Sequence, residues 1–236
     1  MRVESHPHVI AITVAVYAAL IAILIILGSG CAHYPRVPAE DRPLDRQQAS
    51  AVMIEMFCVA DDPFGSGEVI HMRSGHGSAV LLDARHMLTA LHVVACPYLP
   101  DVHATLASGK RLRVVVSREW RDRDLALLEI ASAEALAGIK PPRLALAVEG
   151  ATACTSVAWP ERGGNCGAIE AVYPVTCQTA GGGTWCHSMR APLRVTPGNS
   201  GGGVYVDGAL VGVVTGYQTR DGVDYGSFTS AQGVMP

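Results

Sequence analysis

The chain has 236 residues, 49% of them hydrophobic, with 25 glycines, 14 prolines and a formal net charge of -3. A chain of this length can bury one large core, and an all-β chain of this size normally forms a single domain. The slightly acidic balance gives no electrostatic case for nucleic-acid binding.

The N-terminal part is dominated by an apolar stretch. Residues 9–27 form an uninterrupted run without a charged side chain. This run is longer than the core of an ordinary signal peptide, roughly 7–15 residues, and approaches the roughly 20 residues that span a bilayer. The sequence Leu27-Gly28-Ser29-Gly30-Cys31 resembles a bacterial lipoprotein signal, which is cut before a lipidated cysteine. Gly28 stands where such signals usually have leucine.

Two interpretations of this segment remain open. Residues 1–31 are either a signal peptide that is followed by lipidation of Cys31, or an uncleaved membrane anchor. Both interpretations predict an exported, membrane-tethered domain in the bacterial periplasm or cell envelope. Residues 32–50 then form a proline-rich tether, and residues 51–236 form the folded domain.

The folded domain contains many short apolar segments separated by turn residues, a pattern typical of a β-barrel or a β-sandwich. Residues 90–94 are predicted to form a helical turn, and residues 131–142 to connect two halves of the domain. The predicted strands comprise residues 78–82, 86–89, 102–106, 111–116, 125–130, 152–159, 168–172, 175–178, 184–190, 203–206, 209–217 and 225–229.

Three polar residues stand in surroundings that favour catalysis. His92 directly follows an apolar strand, and Asp124 directly precedes the apolar segment 125–130. Ser200 lies in the run Gly198-Asn199-Ser200-Gly201-Gly202-Gly203. A histidine, an aspartate and a serine are the groups that nucleophilic acyl transfer requires.

Each of the three would have a defined role in that chemistry. Ser200 would be the nucleophile, His92 the general base and then the general acid, and Asp124 the carboxylate that orients the imidazole. The tetrahedral oxyanion needs preorganised donors. Because glycines keep side chains away from the substrate carbonyl, the N–H groups of Gly198 and Ser200 are the predicted oxyanion hole.

Simpler interpretations exist for each residue. Ser200 could be an ordinary turn serine and His92 a core histidine, but each is made less plausible by its two partner motifs. Asp101 and Asp122 compete with Asp124. Asp124 is favoured because the adjoining apolar strand would bury its carboxylate beside the imidazole, whereas Asp122 lies in a charged cluster.

The glycine-rich run also fits the nucleophile elbow of α/β-hydrolases. In that fold the acid and the histidine follow the serine in the chain. No histidine follows Ser200, and residues 203–208 predict a strand and a hairpin turn rather than a helix. The elbow is therefore excluded.

Together these segments resemble the trypsin-like (chymotrypsin-fold) serine peptidases, and among them the compact bacterial Deg/Htr-type enzymes without a PDZ domain. The resemblance implies an all-β fold of two six-stranded antiparallel β-barrels, with the active site in the cleft between them. Residues 51–236 would then be a trypsin-like serine protease domain. The resemblance covers roughly residues 75–217 and rests on Gly75-His76-Gly77-Ser78-Ala79-Val80, Leu88-Thr89-Ala90-Leu91-His92-Val93, Asp124-Leu125-Ala126-Leu127-Leu128, Pro197-Gly198-Asn199-Ser200-Gly201-Gly202 and Leu210-Val211-Gly212-Val213-Val214-Thr215-Gly216.

The chain departs from the family at Asn199, where the animal digestive enzymes carry an aspartate that pairs with a newly cut N-terminus. It also lacks an Ile-Val-Gly-Gly-type activation site, so control by zymogen cleavage is not expected.

The resemblance also implies a substrate pocket, lined by Arg194, Thr215, Gly216 and Tyr217. If Arg194 points inward it would favour an acidic substrate side chain, and if it points outward the pocket is apolar. Tyr217 would narrow the neighbouring subsites. Thr215 is expected to hydrogen-bond near the carboxylate of Asp124.

Cysteine usage supports export. Setting Cys31 aside for lipidation leaves six cysteines, which in an exported domain indicate up to three disulfides. The predicted pairs are Cys177–Cys186 across a glycine-rich loop, Cys58–Cys96 bracing the His92 loop, and Cys154–Cys166 by elimination. This set is one of fifteen possible connectivities. A zinc site is disfavoured because no Cys-x-x-Cys pair occurs.

The sequence thus predicts an exported serine endopeptidase that acts on a protein or peptide, with no metal and no organic cofactor. The alternative is a catalytically silent, tethered binding or scaffold protein on a protease fold. Hydrolysis of nonpeptide esters through the same acyl-enzyme is also chemically possible. The histidines other than His92 in the folded domain are expected at the surface or in loops, namely His71, His76, His86, His103 and His187.

Overall fold

The described part of the computed structural model comprises residues 50–61, 69–132, 136, 138–140, 142–158, 163–180, 183–220 and 222–234. The apolar segment, Cys31 and the proline-rich tether all lie outside these residues. Within the described ranges, no helix has the length and apolar character needed to cross a membrane.

The first half of the domain is a closed antiparallel barrel. Its elements are β1 (Ala51–Asp61), β2 (Val69–Leu81), β3 (His86–Ala90), α1 (Leu91–Val94), β4 (Leu99–Thr105), β5 (Arg111–Trp120) and β6 (Leu125–Ile130). The strand order is β1-β2-β3-β6-β5-β4, and β1 also pairs with β4, which closes the barrel. A 3₁₀ turn (Arg121–Arg123) connects β5 to β6.

The second half is a seven-stranded antiparallel sheet that curls into a half-barrel. Its strands are β7 (Thr152–Ser156), β8 (Cys166–Ala168), β9 (Ala171–Ala180), β10 (Gly183–Ala191), β11 (Gly203–Val206), β12 (Ala209–Arg220) and β13 (Val223–Ser230). Their order in the sheet is β8-β7-β11-β12-β13-β10-β9, so β8 and β9 are the edge strands.

The alternation of side chains along β3 and β6 joins the two halves. Successive residues of a strand point to opposite faces of its sheet. Met87 and Leu128 therefore belong to the core inside the first barrel, whereas their neighbours Leu88 and Leu127 belong to a second cluster. That second cluster also contains Leu210 and other residues of the second half, so both faces of these strands are buried.

The double-barrel fold expected from the resemblance is confirmed, with differences in detail. The second sheet has seven strands instead of six. Strands β1 and β8 were not predicted. The predicted strand 168–172 overlaps the end of β8 and the start of β9, and the predicted strand 175–178 lies within β9. Pro174 interrupts the sequence pattern of β9, but an edge strand tolerates proline because one row of its N–H groups needs no partner in the sheet.

The six cysteines of the domain form three disulfides. Cys58–Cys96 links β1 to the segment after α1, Cys154–Cys166 links β7 to β8, and Cys177–Cys186 links β9 to β10. These are the three pairs predicted from the sequence. Disulfides persist in oxidising compartments, which indicates an extracellular or periplasmic protein.

Candidate active site

His92 and Asp124 meet because their strands are neighbours. In the register of β3 and β6, Ala90 lies opposite Leu125, so α1 and the start of β6 share one end of the sheet. His92 Nδ1 lies 2.7 Å from Asp124 Oδ2. The backbone N–H of His92 donates to Asp124 Oδ1 at 2.9 Å. The carboxylate therefore holds both the ring and the backbone of the histidine.

The environment of Asp124 differs from that of the competing aspartates. Asp124 is only 1% exposed and adopts left-handed backbone angles, with φ of 52° and ψ of 45°. Asp101 instead pairs with His103 at 3.1 Å and Arg113 at 3.2 Å, while Asp122 lies in the 3₁₀ turn. The structure thus pairs Asp124, and not Asp101, with His92.

The 3₁₀ turn before Asp124 is held from two sides. The Sγ atoms of the Cys177–Cys186 disulfide lie 3.5 Å from the Asp122 carbonyl oxygen and 3.6 Å from that of Arg121. Nη2 of Arg123 donates to the carbonyl oxygens of Ser230 and Gln232, at 2.7 Å each. Contacts from the β9–β10 disulfide and from the C-terminal segment therefore fix the approach to Asp124.

The loop around Ser200 is organised by Asn199. The carboxamide oxygen of this buried residue accepts hydrogen bonds from the Thr196 N–H at 2.9 Å and the Thr196 hydroxyl at 3.3 Å. Gly198 and Gly201 adopt φ of 95° and 87°, angles that non-glycine residues rarely reach. Asn199 thus stabilises its own loop from within.

Ser78 connects the Ser200 loop to the first barrel. Its N–H donates to the Ser200 carbonyl oxygen at 2.7 Å, and its hydroxyl donates to the Gly198 carbonyl oxygen at 3.2 Å. The Thr89 hydroxyl donates to the Ser78 carbonyl oxygen at 2.7 Å. Because Thr89 belongs to the strand that leads to His92, this chain of hydrogen bonds sets the position of Ser200 relative to the histidine.

The backbone N–H groups of this loop fall into two kinds. Those of Asn199, Gly201 and Gly202 donate to backbone carbonyl oxygens of the loop or of β12. Those of Gly198 and Ser200 have no acceptor among the described residues. These two N–H groups are the ones to which the sequence analysis assigned the oxyanion hole, and that assignment stays a prediction.

His92 and Ser200 line one open cleft of about 220 Å³. Three predicted pocket residues line it as well, namely Thr215, Gly216 and Tyr217. Sequence reasoning missed the remaining lining residues, which directly precede the serine loop: Val195, Thr196 and Pro197.

Arg194 does not line the cleft, although it was predicted to do so, and it is exposed to solvent. Its carbonyl oxygen accepts a hydrogen bond from Asn165 Nδ2 at 2.8 Å. Tyr217 does line the cleft but is 51% exposed. The hydroxyl of Thr215 donates to the Ser227 carbonyl oxygen at 3.3 Å rather than toward Asp124.

The expectation that His187 lies at the surface or in a loop is wrong. It is a residue of β10 and only 4% exposed, and its ring meets that of Tyr173 edge to face at 5.6 Å between centroids. Burial lowers the pKa of His187. In the sheet of the second half, β10 is an inner strand between β13 and β9, and His187 is buried there.

Comparison with solved structures supports the fold. The Rv3671c protease of M. tuberculosis in its active form is 18% identical, with a TM-score of 0.62 over 84% of both chains. The MamO protease domain of Magnetospirillum magneticum is also 18% identical, with a TM-score of 0.57 over 80% of this chain and 95% of that chain. At such identity the likeness concerns the fold alone. Comparison with curated proteins gives no match.

The sequence itself matches a family model described as the trypsin-like peptidase domain, over residues 77–213. The match spans more than half of the chain and contains His92, Asp124 and Ser200. The narrower resemblance to Deg/Htr-type enzymes remains a prediction. The chain belongs to the trypsin-like peptidase family.

Proposed function

We propose that this trypsin-like peptidase is an exported serine endopeptidase that hydrolyses peptide bonds through a Ser200–His92–Asp124 triad. The observation that carries the proposal is the convergence of His92, paired with Asp124 at 2.7 Å, and Ser200 on one cleft. A protein without turnover has no need of this convergence, which includes a buried carboxylate behind the imidazole.

The chemistry follows from these contacts. Ser200 Oγ attacks the substrate carbonyl while His92 Nε2 takes its proton. The Nδ1–H of the resulting imidazolium donates to Asp124, which stabilises the positive charge. The unoccupied N–H donors of Gly198 and Ser200 stabilise the oxyanion. His92 then protonates the leaving amine. In the second step His92 takes a proton from water, which attacks the acyl-enzyme, and the proton returns to Ser200 Oγ as the acid product leaves.

The three disulfides support folding in an oxidising compartment. We propose that residues 1–31 direct the export and that the chain remains at the membrane, through a lipid on Cys31 or through an uncleaved anchor. Mass spectrometry of the purified full chain distinguishes the two. A diacylated Cys31 at the new N-terminus supports lipidation, whereas an intact Met1 supports the anchor.

Proteolysis of an unfolded protein tests the activity. The full chain in mild detergent is incubated with reduced, alkylated casein, beside its Ser200→Ala variant. Cleavage into peptides by the wild type alone supports an endopeptidase. Hydrolysis of a simple ester without cleavage of casein would indicate an esterase. Stable binding of casein without either reaction would indicate a silent binding protein and overturn the proposal.

A further inference from the structure

We infer that Ser78 is a positioning residue for the proposed oxyanion hole. Its hydroxyl holds the peptide group that lies between the two N–H donors, those of Gly198 and Ser200. Ser78 belongs to β2 of the first barrel and is fully buried, so it acts through the serine loop and not by contact with a substrate. The inference rests on the proposed function, because it concerns the same site.

The Ser78 hydroxyl makes two hydrogen bonds whose directions are fixed by the partner atoms. The Ala158 N–H donates to Ser78 Oγ at 3.0 Å, and Oγ donates to the Gly198 carbonyl oxygen at 3.2 Å. A backbone N–H can only donate, and a carbonyl oxygen can only accept. The single hydroxyl hydrogen therefore points at Gly198, and the hydroxyl connects β2 with two segments of the second half.

Ala158 gives this hydroxyl a firm support. It is buried, and its neighbour Val157 exchanges two backbone hydrogen bonds with Gly163, at 2.9 and 3.1 Å. A Cβ placed on Gly202 would overlap Cγ1 of Val157, so this segment also packs closely against the serine loop. The position of Ser78 Oγ is thus fixed both by its own strand and by the second half.

Three consecutive peptide groups carry the two donors. The first bears the Gly198 N–H, the second bears the Gly198 carbonyl and the Asn199 N–H, and the third bears the Ser200 N–H. Because a peptide group is planar, a hydrogen bond to its carbonyl oxygen also fixes the direction of its N–H. The Asn199 carbonyl oxygen accepts from the Gly202 N–H at 2.9 Å, which fixes the third group.

The second group depends on support from outside itself. Gly198 has φ of 95° and no side chain, so its backbone is less restricted than that of other residues. The Thr196 carbonyl oxygen holds the group at the Asn199 N–H, at 3.0 Å, and the Ser78 hydroxyl holds it at the carbonyl. Since this group links the two donors, the loss of one support would change the direction of one N–H relative to the other.

Two esters that differ in one atom measure the alignment of these donors. p-Nitrophenyl acetate and its thiono analogue, in which sulfur replaces the carbonyl oxygen, are given to the full chain in detergent. Ser200 Oγ forms a bond to the carbonyl carbon, His92 takes the serine proton, and the bond to the nitrophenol oxygen breaks, so that nitrophenol leaves with that proton. The negative charge develops on oxygen in one ester and on sulfur, a larger and weaker acceptor, in the other. The ratio of the two acylation rates, each corrected for hydrolysis by hydroxide, therefore reports the oxyanion hole.

Ser78→Ala removes the hydroxyl without adding an atom. Removal of an oxyanion donor typically costs roughly 10²–10³-fold in kcat. Because Ser78→Ala only misaligns a donor, we expect the acylation rate with the oxygen ester to fall by about 10–100-fold. The rate with the thiono ester is expected to fall less, so the oxygen-to-sulfur ratio decreases by about tenfold. Ser78→Thr keeps the hydroxyl and is expected to keep most of the ratio.

Ser117→Ala is the matched control. Ser117 Oγ also donates to a backbone carbonyl oxygen at 3.2 Å, that of Leu127, but it joins β5 to β6 within the first barrel. Loss of this hydroxyl removes a comparable hydrogen bond and is expected to leave the ratio unchanged. Circular dichroism and urea unfolding establish that each variant is folded.

The outcomes separate the inference from the proposed function. An equal fall of both rates in folded Ser78→Ala would overturn the inference and leave the peptidase intact. A decrease of the ratio in Ser117→Ala as large as in Ser78→Ala would overturn it as well. No release of nitrophenol by the folded wild type above the Ser200→Ala variant would overturn the proposed function, and the inference with it.

Discussion

Replacement of Gly201 by alanine tests how the serine loop is held against the first barrel. Gly201 follows the proposed nucleophile, has φ of 87°, and donates its N–H to the Val214 carbonyl oxygen at 2.7 Å. A Cβ on Gly201 would overlap both the Ser78 carbonyl oxygen and the Thr89 hydroxyl, two atoms that are hydrogen-bonded to each other. The added methyl group must therefore displace this connection between the two halves.

The magnitude follows from three contributions. The left-handed backbone costs a non-glycine residue about 1–2 kcal/mol. Overpacking in a rigid interior costs about 1–3 kcal/mol, and loss of the hydrogen bond between Thr89 and Ser78 about 0.5–1.5 kcal/mol. Gly208 provides the matched control, because it has φ of 75° but an added methyl group there would meet no atom within 4 Å. Gly208→Ala should show the backbone cost alone.

Urea unfolding of the disulfide-bonded chain, followed by tryptophan fluorescence, measures both variants. Gly201→Ala is expected to lose about 2–4 kcal/mol more of the free energy of unfolding than Gly208→Ala. It is also expected to react more slowly with a fluorophosphonate, since the displaced Ser78 no longer fixes the Ser200 carbonyl. Equal losses in the two variants would refute the claim that this contact joins the halves.

Three further predictions concern the neighbourhood of the site. Asp124→Asn removes the acceptor for the imidazole of His92, so kcat on a peptide ester is expected to fall roughly 10⁴-fold without loss of fold by circular dichroism. Arg123→Ala removes two charged hydrogen bonds and is expected to lower the free energy of unfolding in urea by about 1.5–3 kcal/mol. The control Arg121→Ala removes a side chain that is 83% exposed and is expected to change this free energy by less than about 1 kcal/mol. Similar losses in the two variants would contradict the role of Arg123. Because burial lowers the pKa of His187, the unfolded chain binds this proton first as the pH falls below about 6.5, so stability decreases there. The decrease in the free energy of unfolding between pH 7.5 and 5 is expected to be smaller in His187→Phe than in the wild type. Identical pH profiles of the two proteins would contradict this role of His187.

The sequence was sufficient to predict the two strands that flank His92 and Asp124. An apolar run before His92 and another after Asp124 define β3 and β6, and antiparallel pairing then brings the two residues to one end of the sheet. The positive φ of Gly198 and Gly201 agrees with the glycines around Ser200. These features depend on local patterns, which the sequence records directly.

Long-range contacts could not be predicted in the same way. The hydrogen bonds of Ser78 to the serine loop join residues more than a hundred positions apart, and only the family motif around Gly77 pointed to this segment. The burial of His187 depends on the placement of β10 inside the second sheet. The outward position of Arg194 likewise depends on how the loop before Ser200 turns, and for this turn the sequence left two alternatives open.

Fluorophosphonate labelling tests the central claim, a serine activated by His92, most directly. The full chain in detergent is labelled beside its Ser200→Ala and His92→Ala variants, and the modified peptide is identified by mass spectrometry. We expect a single adduct on Ser200 of the wild type and none in either folded variant. Undiminished labelling of His92→Ala, or an adduct on another serine, would contradict the proposed triad.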